Sequence, residues 1–451
     1  MNASFFTEYL EKWFAPIVQK VTELINGKKE EQTLFHKTML TEEFSPDLKW
    51  GGKEINGSIV AADVVSLEST LPLKKRDSLR TASGDIPKLG LKLRKGEKAL
   101  QDIQTMIAKG MSEEQIAKKI FDDIPKVVKG IDVRKEIMFL QALSTGVTLI
   151  EDDQNTGVGI RTDFGYKADN IFRSKLPWGS TGYVPQDDIE EVLDKAQADG
   201  NRITVMMISK KYFNLMKNST QGKVIAANFN NFIYTTTANL PVPSRAGFLA
   251  ALEDLYGVKV VIVDSTFRVE KDGVQSNITP WEEANVAFLY DNVVGRLVYG
   301  TLAEKTFPVP GVVYQDGAQG TLVSKYSKNE PLEEFTAGQA LAIPVIDGVN
   351  SIYLLQADKQ AIALTPDALT FTKAANTTGK TAVVTTDAAS VVSAAPVAED
   401  TWCTVTVSGK VVTVKVAANS EVAAPERSTN VTITDSLGDT AVLAVTQAAN
   451  V

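Results

Sequence analysis

The chain is poor in the residues on which many catalytic and metal sites depend. It contains one cysteine, Cys403, and one histidine, His36. A single cysteine excludes an internal disulfide, and a single histidine leaves little room for histidine-based catalysis or metal binding. We expect Cys403, beside Trp402 in a strand-rich region, to be a small core residue. We expect His36 to have a packing or surface role.

Long apolar runs are also missing. No apolar stretch approaches the roughly 20 residues that a helix needs to span a bilayer. The first apolar stretch is interrupted by Glu8, Glu11 and Lys12, which argues against a secretion signal. We therefore expect a protein that has no membrane segment, folds in a cytoplasm and, with 451 residues, forms two or three domains.

The sequence nominates no catalytic, cofactor-binding or metal-binding residue. Glu151, Asp152 and Asp153 are consecutive, whereas hard-cation loops place oxygen ligands at alternating positions with a glycine, so an acidic turn is the better interpretation. The Gly157-Val158-Gly159 run lacks the third glycine and the strand-to-helix context of a phosphate loop. Paired carboxylates in a cleft, or a nucleophile with its base, are not recognisable. We therefore expect a protein that is not an enzyme and uses no cofactor.

Charge is unevenly distributed along the chain. The formal net charge of −8 argues against a protein that coats nucleic acid, because such proteins neutralise phosphates with Lys and Arg. One segment is nevertheless basic, with only Asp77, Asp85 and Glu97 to balance it. Its cations are Lys74, Lys75, Arg76, Arg80, Lys88, Lys92, Arg94, Lys95 and Lys98. This segment predicts an acidic partner; a solvated loop is the alternative, and the absence of interleaved aromatic residues disfavours a nucleic-acid patch.

The first third of the chain combines an amphipathic arm, a basic excursion and two helical segments. Residues 4–25 have helical apolar spacing with one breaker at Pro16. Residues 51–96 favour a long two-stranded excursion with little core of its own. Ser112 begins a helix that Pro125 and Gly130 should kink or divide. Asp132 can cap a second helix, which Gly146 ends before the strand 147–150.

The middle of the chain predicts an α+β domain. Asp187 and Asp188 begin a helix that runs to Ala198, and residues 203–208 form an apolar run typical of a buried strand. Ser209 caps a following helix. Residues 246–256 predict a further helix, which Gly257 separates from the strand 258–263. Helices packed on a small sheet are the expected architecture.

The composition changes near Asp358. From there to the end the chain is rich in Thr, Val and Ala, has few charges and alternates in strand-like fashion. The clearest stretches are 382–386, 404–407, 411–416, 431–434 and 441–445. Short strands separated by Gly, Asn and Asp turns predict a β-sandwich of about 90 residues.

Several segments, in order, resemble the major capsid proteins of tailed bacteriophages of the lambda type. The helix 136–146 that passes into the strand 147–150 resembles the end of their long spine helix. The other similar segments are Leu176-Pro177-Trp178 followed by the Asp188 helix, Ile203–Asn218, Tyr256–Arg268, Ala287–Leu289 with Gly295–Gly300, and Lys325–Leu355. The resemblance covers roughly residues 50 to 355.

This resemblance implies the Hong Kong ninety-seven type fold and a function in self-assembly. Copies would form hexamers and pentamers of an icosahedral shell around double-stranded DNA, which they would contact only non-specifically. The implied divisions are an N-terminal arm (1–50), an extended loop (51–98), the spine helix and peripheral domain (99–186), an axial domain (187–290), return strands of the peripheral domain (291–357) and the C-terminal sandwich (358–451). The implied partners are portal and other head proteins. Because the chain begins at Met1, we also expect a separate scaffolding protein.

The C-terminal sandwich resembles a second family, the immunoglobulin-like carbohydrate-binding module associated with bacteroidetes (BACON). The similar residues are Leu364-Thr365-Pro366, Leu369-Thr370-Phe371, Trp402, Val414–Asn419, Arg427 and Val445–Ala449. We expect this domain on the outer surface of the shell, where it would not disturb subunit contacts. The resemblance implies glycans, here host-associated ones, as ligands. Phe371 and Trp402 are the only large rings after Tyr353, and both fit a core role, so a structural or adhesive decoration is the alternative to glycan binding. At the level of the whole protein, the alternative to a capsid protein is a carbohydrate-binding surface or adhesion protein.

Overall fold

The computed structural model describes residues 4–27, 34–52, 83–150, 159–397, 400–420, 425–436 and 440–450. The chain divides into two compact units, each assembled from three segments. The first comprises Met1–Ile171, Glu191–Asn214 and Pro243–Leu354, and the second comprises Phe172–Glu190, Leu215–Val242 and Leu355–Val451. The fold class is α+β, as predicted, with an all-β C-terminal part.

Helices are concentrated in the first 260 residues, and strands dominate the rest. The α-helices are Thr7–Tyr9, Ala15–Gly27, His36–Met39, Glu97–Ala108, Glu113–Ile120, Ile124–Thr145, Pro185–Ala198, Lys210–Asn218, Thr220–Phe229, Arg245–Tyr256 and Ala303–Thr306. The strands are Leu40–Phe44, Lys49–Gly51, Ser83–Asp85, Lys88–Lys95, Val147–Ile150, Ile160–Asp163, Ile171–Ser174, Val205–Ser209, Lys259–Val263, Phe267–Lys271, Val274–Ile278, Asn285–Leu289, Gly295–Gly300, Val313–Asp316, Leu322–Lys328, Glu333–Ile346, Tyr353–Gln360, Ala363–Thr365, Ala368–Phe371, Asn376–Thr385, Val391–Ala395, Cys403–Ser408, Val411–Val416, Arg427–Asp435 and Thr440–Gln447.

The N-terminal arm is helical without interruption from residue 7 to residue 27. A π-helical turn, Leu10–Phe14, joins the two α-helical pieces immediately before Pro16. Proline cannot donate a backbone hydrogen bond, and the wider π turn accommodates that gap within the helix. The predicted break at Pro16 is therefore wrong. The apolar face of the helix packs in one core with the helices 97–108 and 113–120 and with the first turns of the helix 124–145.

The helix Ile124–Thr145, called the long helix below, is continuous. Pro125 lies in its first turn, where a backbone N–H would have no helical partner, so proline starts the helix instead of dividing it. Gly130 lies within the helix, where a Cβ atom would approach Cδ2 of Leu91 to 2.6 Å. The glycine therefore allows a strand to pack closely on the helix. The helix that begins after Ser112 ends at Ile120, so the predicted division near Pro125 is confirmed, whereas the predicted break at Gly130 is wrong.

The two ends of the helical region follow the predicted signals. Ser112 accepts a hydrogen bond from the Gln115 backbone N–H at 3.4 Å and completes a capping box. Gly146 has φ +76° and ends the long helix, as predicted. Asp132 does not cap a helix, because it lies inside the long helix and pairs with Lys37 at 3.0 Å and with Lys135 at 3.5 Å.

The largest sheet of the first unit is organised around its longest strand, Glu333–Ile346. The strand order is 40–44, 295–300, 333–346, 322–328 and 313–316, and the strand 88–95 also pairs with 333–346. Strand 40–44 runs parallel to 295–300, whereas the other pairs are antiparallel. The sheet packs on the long helix, and buried residues of both lie in one apolar core.

The expected two-stranded excursion at residues 51–96 requires a correction. Strand 88–95 belongs to the large sheet and contributes Leu89, which is 6 % exposed, to the main core. Within the described part of this segment, the remaining strand pairing is the short antiparallel pair Lys49–Gly51 and Ser83–Asp85. The alternating stretch 59–65 lies outside the described residues. The end of the segment therefore has a core, because its alternating leucines face the long helix.

Within the first unit, the buried strand Val205–Ser209 lies between two other strands of a second sheet. All five residues of this strand are buried, as the apolar run predicted. It pairs antiparallel with Asn285–Leu289 and parallel with Lys259–Val263. Ser209 Oγ accepts a hydrogen bond from the Tyr212 backbone N–H at 3.3 Å, which confirms the predicted cap. Gly257, with φ +64°, separates the helix 245–256 from the strand that follows.

The C-terminal part of the second unit is a sandwich of two four-stranded sheets. One sheet has the order 363–365, 376–385, 411–416 and 403–408, and the other has the order 368–371, 440–447, 427–435 and 391–395. All five predicted strand stretches of this region are confirmed. The residues between the sheets form a separate apolar core that draws only on positions from Ile362 to Val445.

Candidate assembly surfaces

Four of the five described cations of the basic segment contact groups of the same chain. Lys88 pairs with Glu304 and Arg94 pairs with Glu333, each at 2.7 Å. Further pairs join Lys95 to Asp122 and Asp123, and Lys92 lies 5.0 Å from the Phe335 ring centroid. An external acidic partner is therefore not required by Lys88, Arg94 or Lys95, which corrects that expectation. Lys74, Lys75, Arg76 and Arg80 lie outside the described residues.

Asp123 is the centre of the ionic cluster at the start of the long helix. Its carboxylate accepts hydrogen bonds from Lys95 at 2.7 Å and from Lys126 at 2.8 Å. Burial alone would raise the pKa of Asp123, but the hydrogen bonds from Lys126 and Lys95 outweigh burial and lower it. The cluster fastens the strand 88–95 to the helix by charge as well as by apolar packing.

His36 and Glu136 form a buried pair that joins the N-terminal segment to the long helix. Both side chains are inaccessible, and Nδ1 of His36 lies 2.6 Å from a carboxylate oxygen of Glu136. The same carboxylate accepts the backbone N–H groups of Phe35 and His36, both at 2.9 Å. The packing role predicted for His36 is confirmed. Glu136 was not predicted, although a lone acid between apolar residues of a buried helix is a recognisable signal.

The tryptophan loop of the second unit is held by Asp188. The Trp178 indole Nε1–H donates to Asp188 Oδ2 at 2.8 Å, and the Lys175 backbone N–H donates to Asp188 Oδ1 at 2.9 Å. Trp178 is buried at 5 % exposure. Asp188, predicted only as a helix-starting residue, therefore also fixes the loop that precedes its helix.

An exposed segment of the second unit combines apolar side chains with an absence of charge. Residues 224–242 contain no Asp, Glu, Lys or Arg. Four apolar side chains of this segment remain accessible: Phe229 at 40 %, Phe232 at 50 %, Ile233 at 94 % and Val242 at 57 %. Single exposed apolar residues are ordinary, but several within one uncharged segment indicate a contact surface. The sequence signal that could have found it is the charge-free run itself.

The aromatic residues of the sandwich do not form an open platform. Phe371 is 5 % exposed and belongs to the sandwich core, as expected. Trp402 is half-buried, and the Arg427 guanidinium lies 4.5 Å from its ring centroid, so one ring face is covered. Cys403 is a buried core residue, as predicted, and burial raises the pKa of its thiol.

A buried glutamine closes one end of the sandwich. Gln447 is inaccessible, and its Oε1 accepts hydrogen bonds from Arg427 Nε at 2.9 Å and Nη2 at 2.8 Å. Its Nε2 donates to the carbonyl of Ala417 at 2.9 Å and to that of Thr372 at 3.1 Å. The glutamine therefore links both sheets through their connecting segments. These contacts give a structural role to Arg427 and Gln447, two of the residues that carry the resemblance to the BACON module.

Within the described ranges, no group of three or more His, Cys, Asp or Glu side chains is placed to hold a metal ion. Glu151, Asp152, Asp153 and the glycines at 157–159 lie outside those ranges, except for Gly159. In the same ranges, no helix is both long and apolar enough to cross a membrane.

Solved structures similar to this chain include several phage proteins. A prophage protein of E. coli CFT073, assigned as a capsid protein, is 14 % identical, with a TM-score of 0.44 over 79 % of this chain and 99 % of that chain. A phage-related protein from Bordetella bronchiseptica RB50 is 15 % identical, with a TM-score of 0.45 and coverages of 76 % and 96 %. The capsid of cyanophage A-1(L) is 12 % identical, with a TM-score of 0.37 and coverages of 71 % and 90 %.

Among curated proteins, no sequence matches this chain. The model of a protein family, in contrast, matches residues 18–357, which is most of the chain and leaves out the sandwich. The matched family is described as phage major capsid protein E. Its members are structural proteins of the virion and not enzymes. The chain therefore belongs to the phage major capsid protein E family.

Proposed function

We propose that this chain is the shell-forming subunit of an icosahedral phage head and assembles into hexamers and pentamers around double-stranded DNA. Membership of the capsid family supports the shell role. The observation that carries the assembly mode is the uncharged segment 224–242. Side chains that lie close to a rotation axis converge with the same side chains of neighbouring copies, where like charges would repel, so a segment without charge suits a contact at such an axis.

The first test is electron microscopy of the purified protein, with and without a scaffolding protein. Closed shells, tubes or hexamers are the expected particles. A protein that stays monomeric at every concentration, even with scaffold present, would contradict the proposal.

The second test removes the apolar contact at Ile233. An Ile233→Asp variant should fold normally, because the side chain is 94 % exposed, but it should place like charges together and prevent assembly. Val274→Asp is the matched control, since Val274 is 72 % exposed on the strand 274–278 of the other unit. Shells of normal yield from the Ile233 variant would remove this segment from the proposed interface.

The proposed divisions of the chain and its assembly partners are those that the sequence resemblance implies. We propose the divisions into arm (1–50), extended loop (51–98), spine helix and peripheral domain (99–186), axial domain (187–290), return strands (291–357) and sandwich (358–451). Assembly takes place in the host cytoplasm with a separate scaffolding protein and a portal. The lambda-type resemblance supports this arrangement. One boundary differs in the structure, because Lys88–Lys95, the last part of the proposed extended loop, is a strand of the large sheet.

The sandwich is proposed to be an immunoglobulin-like decoration on the outer surface of the shell. Its self-contained core supports folding without the capsid part. Deleting the residues after Gln360 should give shells with a smoother exterior. Density for the sandwich inside the shell would contradict the outward placement.

Glycan binding is the second candidate for the sandwich, in line with its resemblance to the BACON module. The covered face of Trp402 and the burial of Phe371 favour a structural or adhesive decoration instead. A glycan array with the isolated sandwich, compared with its Trp402→Ala variant, separates these roles. Glycan binding that is lost in the Trp402→Ala variant would establish the glycan role. An array on which the intact sandwich binds no glycan would support the structural or adhesive decoration.

A further inference from the structure

A basic groove on the first unit lies beside the long helix. Its volume is about 2060 Å³. The walls come from the long helix, the strand 88–95, the paired strands 147–150 and 160–163, and the paired strands 267–271 and 274–278. The groove is therefore formed by one helix and several strands, and not by one loop.

The groove has the opposite charge to the chain as a whole. Three carboxylates line it, and two of them are engaged locally: Asp163 accepts the Gly165 backbone N–H at 2.7 Å, and Glu270 accepts Gln275 Nε2 at 2.8 Å. Six cations line it: Lys88, Lys92, Lys129, Arg134, Arg161 and Arg268. The chain carries a net charge of −8, so the remainder of each copy is strongly acidic.

Arg134 is a partly buried cation of this groove. It lies on the groove side of the long helix, and burial lowers the pKa of its guanidinium. No carboxylate in the described part of the chain pairs with it. Arginines withdrawn from water are normally paired with an anion, because the uncompensated charge is costly. Arg134 therefore indicates a missing anionic partner.

The groove also offers apolar surface and an open strand edge. Leu91 lines it and is 37 % exposed, whereas Trp50, Ile137 and Phe267 line it but are almost fully buried. Strand 88–95 pairs on one edge with 333–346 and has no other partner among the described strands. An extended chain could add to such an edge while its side chains reach the cations and the apolar floor.

We propose that this groove binds an extended, acidic segment of a second copy of this chain. The choice of a second copy rests on the proposed function, since a shell brings identical acidic subunits into contact. The carboxylates of that segment compensate Arg134, Lys92 and Arg161, and its apolar side chains cover the floor. The contact is electrostatic at its rim, so it weakens as salt concentration rises.

Crosslinking between isotope-labelled copies tests the proposal. Tyr326 lines the groove and stacks on Phe335, with ring centroids 5.2 Å apart, so p-azidophenylalanine replaces it with little change in shape. Labelled and unlabelled chains are mixed before assembly, irradiated and digested for mass spectrometry. Mixed-isotope peptides in which this position is joined to an Asp- or Glu-rich segment are expected. Crosslinks only within one chain, or none, would overturn the proposal.

A charge variant provides the second readout. In the Tyr326-labelled background, Arg134→Gln with Arg161→Gln should lower the yield of mixed-isotope crosslinks about tenfold. The control is Lys210→Gln with Lys211→Gln, two exposed cations that do not line the groove and pair with Asp264 and Glu283. Circular dichroism verifies that both variants are folded. An unchanged crosslink yield in the arginine variant would also overturn the proposal.

Electron microscopy of the same samples separates this proposal from the shell function. Shells with only intrachain crosslinks would contradict the groove contact and leave the shell function intact. A protein that remains monomeric would contradict both.

Discussion

The Glu136 carboxylate binds three donors of one short segment: the backbone N–H groups of Phe35 and His36 and the His36 imidazole, whose Nδ1 lies 2.6 Å away. All of these groups are separated in sequence from Glu136 by about 100 residues. The pair therefore determines where the arm leaves the helix and enters the large sheet at Leu40.

Removing this carboxylate should destabilise the first unit. Glu136→Ala leaves two backbone donors and an imidazole buried without an acceptor, which costs about 3–5 kcal/mol in the free energy of unfolding. Urea denaturation followed by circular dichroism measures the loss. Glu114→Ala, at an exposed position of the helix 113–120, is the control and should change stability by less than about 0.5 kcal/mol. Equal stability of the two variants would contradict the structural role of Glu136.

Asp123 should contribute to acid sensitivity. Its pKa is lowered in the folded state, so its stabilisation is present above the unfolded value of 3.8 and is lost as pH falls through the folded value. Asp123→Asn should therefore be less stable than the parent by about 1–2 kcal/mol at pH 7, allowing for the exposure of Lys126. The difference should shrink below pH 3.8. Thermal unfolding between pH 2.5 and 7 measures it, and a difference that does not vary with pH would refute this assignment.

Gly295 should tolerate no side chain. A Cβ atom there would lie 2.1 Å from the Val345 carbonyl oxygen, in the pairing between strands 295–300 and 333–346. Gly295→Ala must push two strands of the large sheet apart and should cost roughly 2–4 kcal/mol. Gly51→Ala, where no atom lies within 4 Å of the added Cβ, is the matched control. Amide hydrogen exchange in the large sheet should be faster in Gly295→Ala and unchanged in Gly51→Ala. Equally protected amides in both variants would contradict the prediction, because the sheet would then accommodate the added methyl group.

Gln447 should be essential to the stability of the sandwich. Gln447→Leu keeps the side-chain volume but removes the acceptor of two Arg427 hydrogen bonds and the donor to the Thr372 carbonyl, at a cost of about 2–3 kcal/mol. Arg427 keeps its hydrogen bond to the Ala417 carbonyl. Thermal melting of the isolated sandwich measures the effect. Val442→Thr, at a 54 % exposed position of the same strand, should melt within the error of the parent. A Gln447→Leu variant that melts with the parent would show that water replaces these bonds.

Local signals in the sequence predicted local structure well. The capping box at Ser112, the left-handed Gly146, the buried run before Ser209 and the alternation of the sandwich strands all depend on neighbouring residues, and each is confirmed. The breaks at Pro16 and Gly130 were predicted wrongly because both depend on surroundings. A π turn accommodates Pro16, and close packing of Leu91 accounts for Gly130.

Long-range partners could not be read from the sequence. The cations at Lys88, Arg94 and Lys95 look unbalanced along the chain, yet their carboxylate partners lie between 27 and 239 residues away. A charge excess in a segment therefore says little until the fold shows which acids approach it. The role of Arg134, in contrast, was not predicted, because its neighbours along the chain carry charges of both signs. In the described structure no carboxylate pairs with it.

The parallel pairing of Leu40–Phe44 with Gly295–Gly300 has a consequence for synthesis on the ribosome. The large sheet needs strands from residue 40 to residue 346, so a nascent chain that stops short of that point cannot complete it. The sandwich strands, in contrast, pair within one contiguous stretch and emerge after the large sheet. The apolar arm helix and the long helix are therefore made well before the sheet that covers them, and non-local closure of this kind is slow and prone to aggregation. The nascent capsid part should thus depend on chaperones for longer than the domain that follows it.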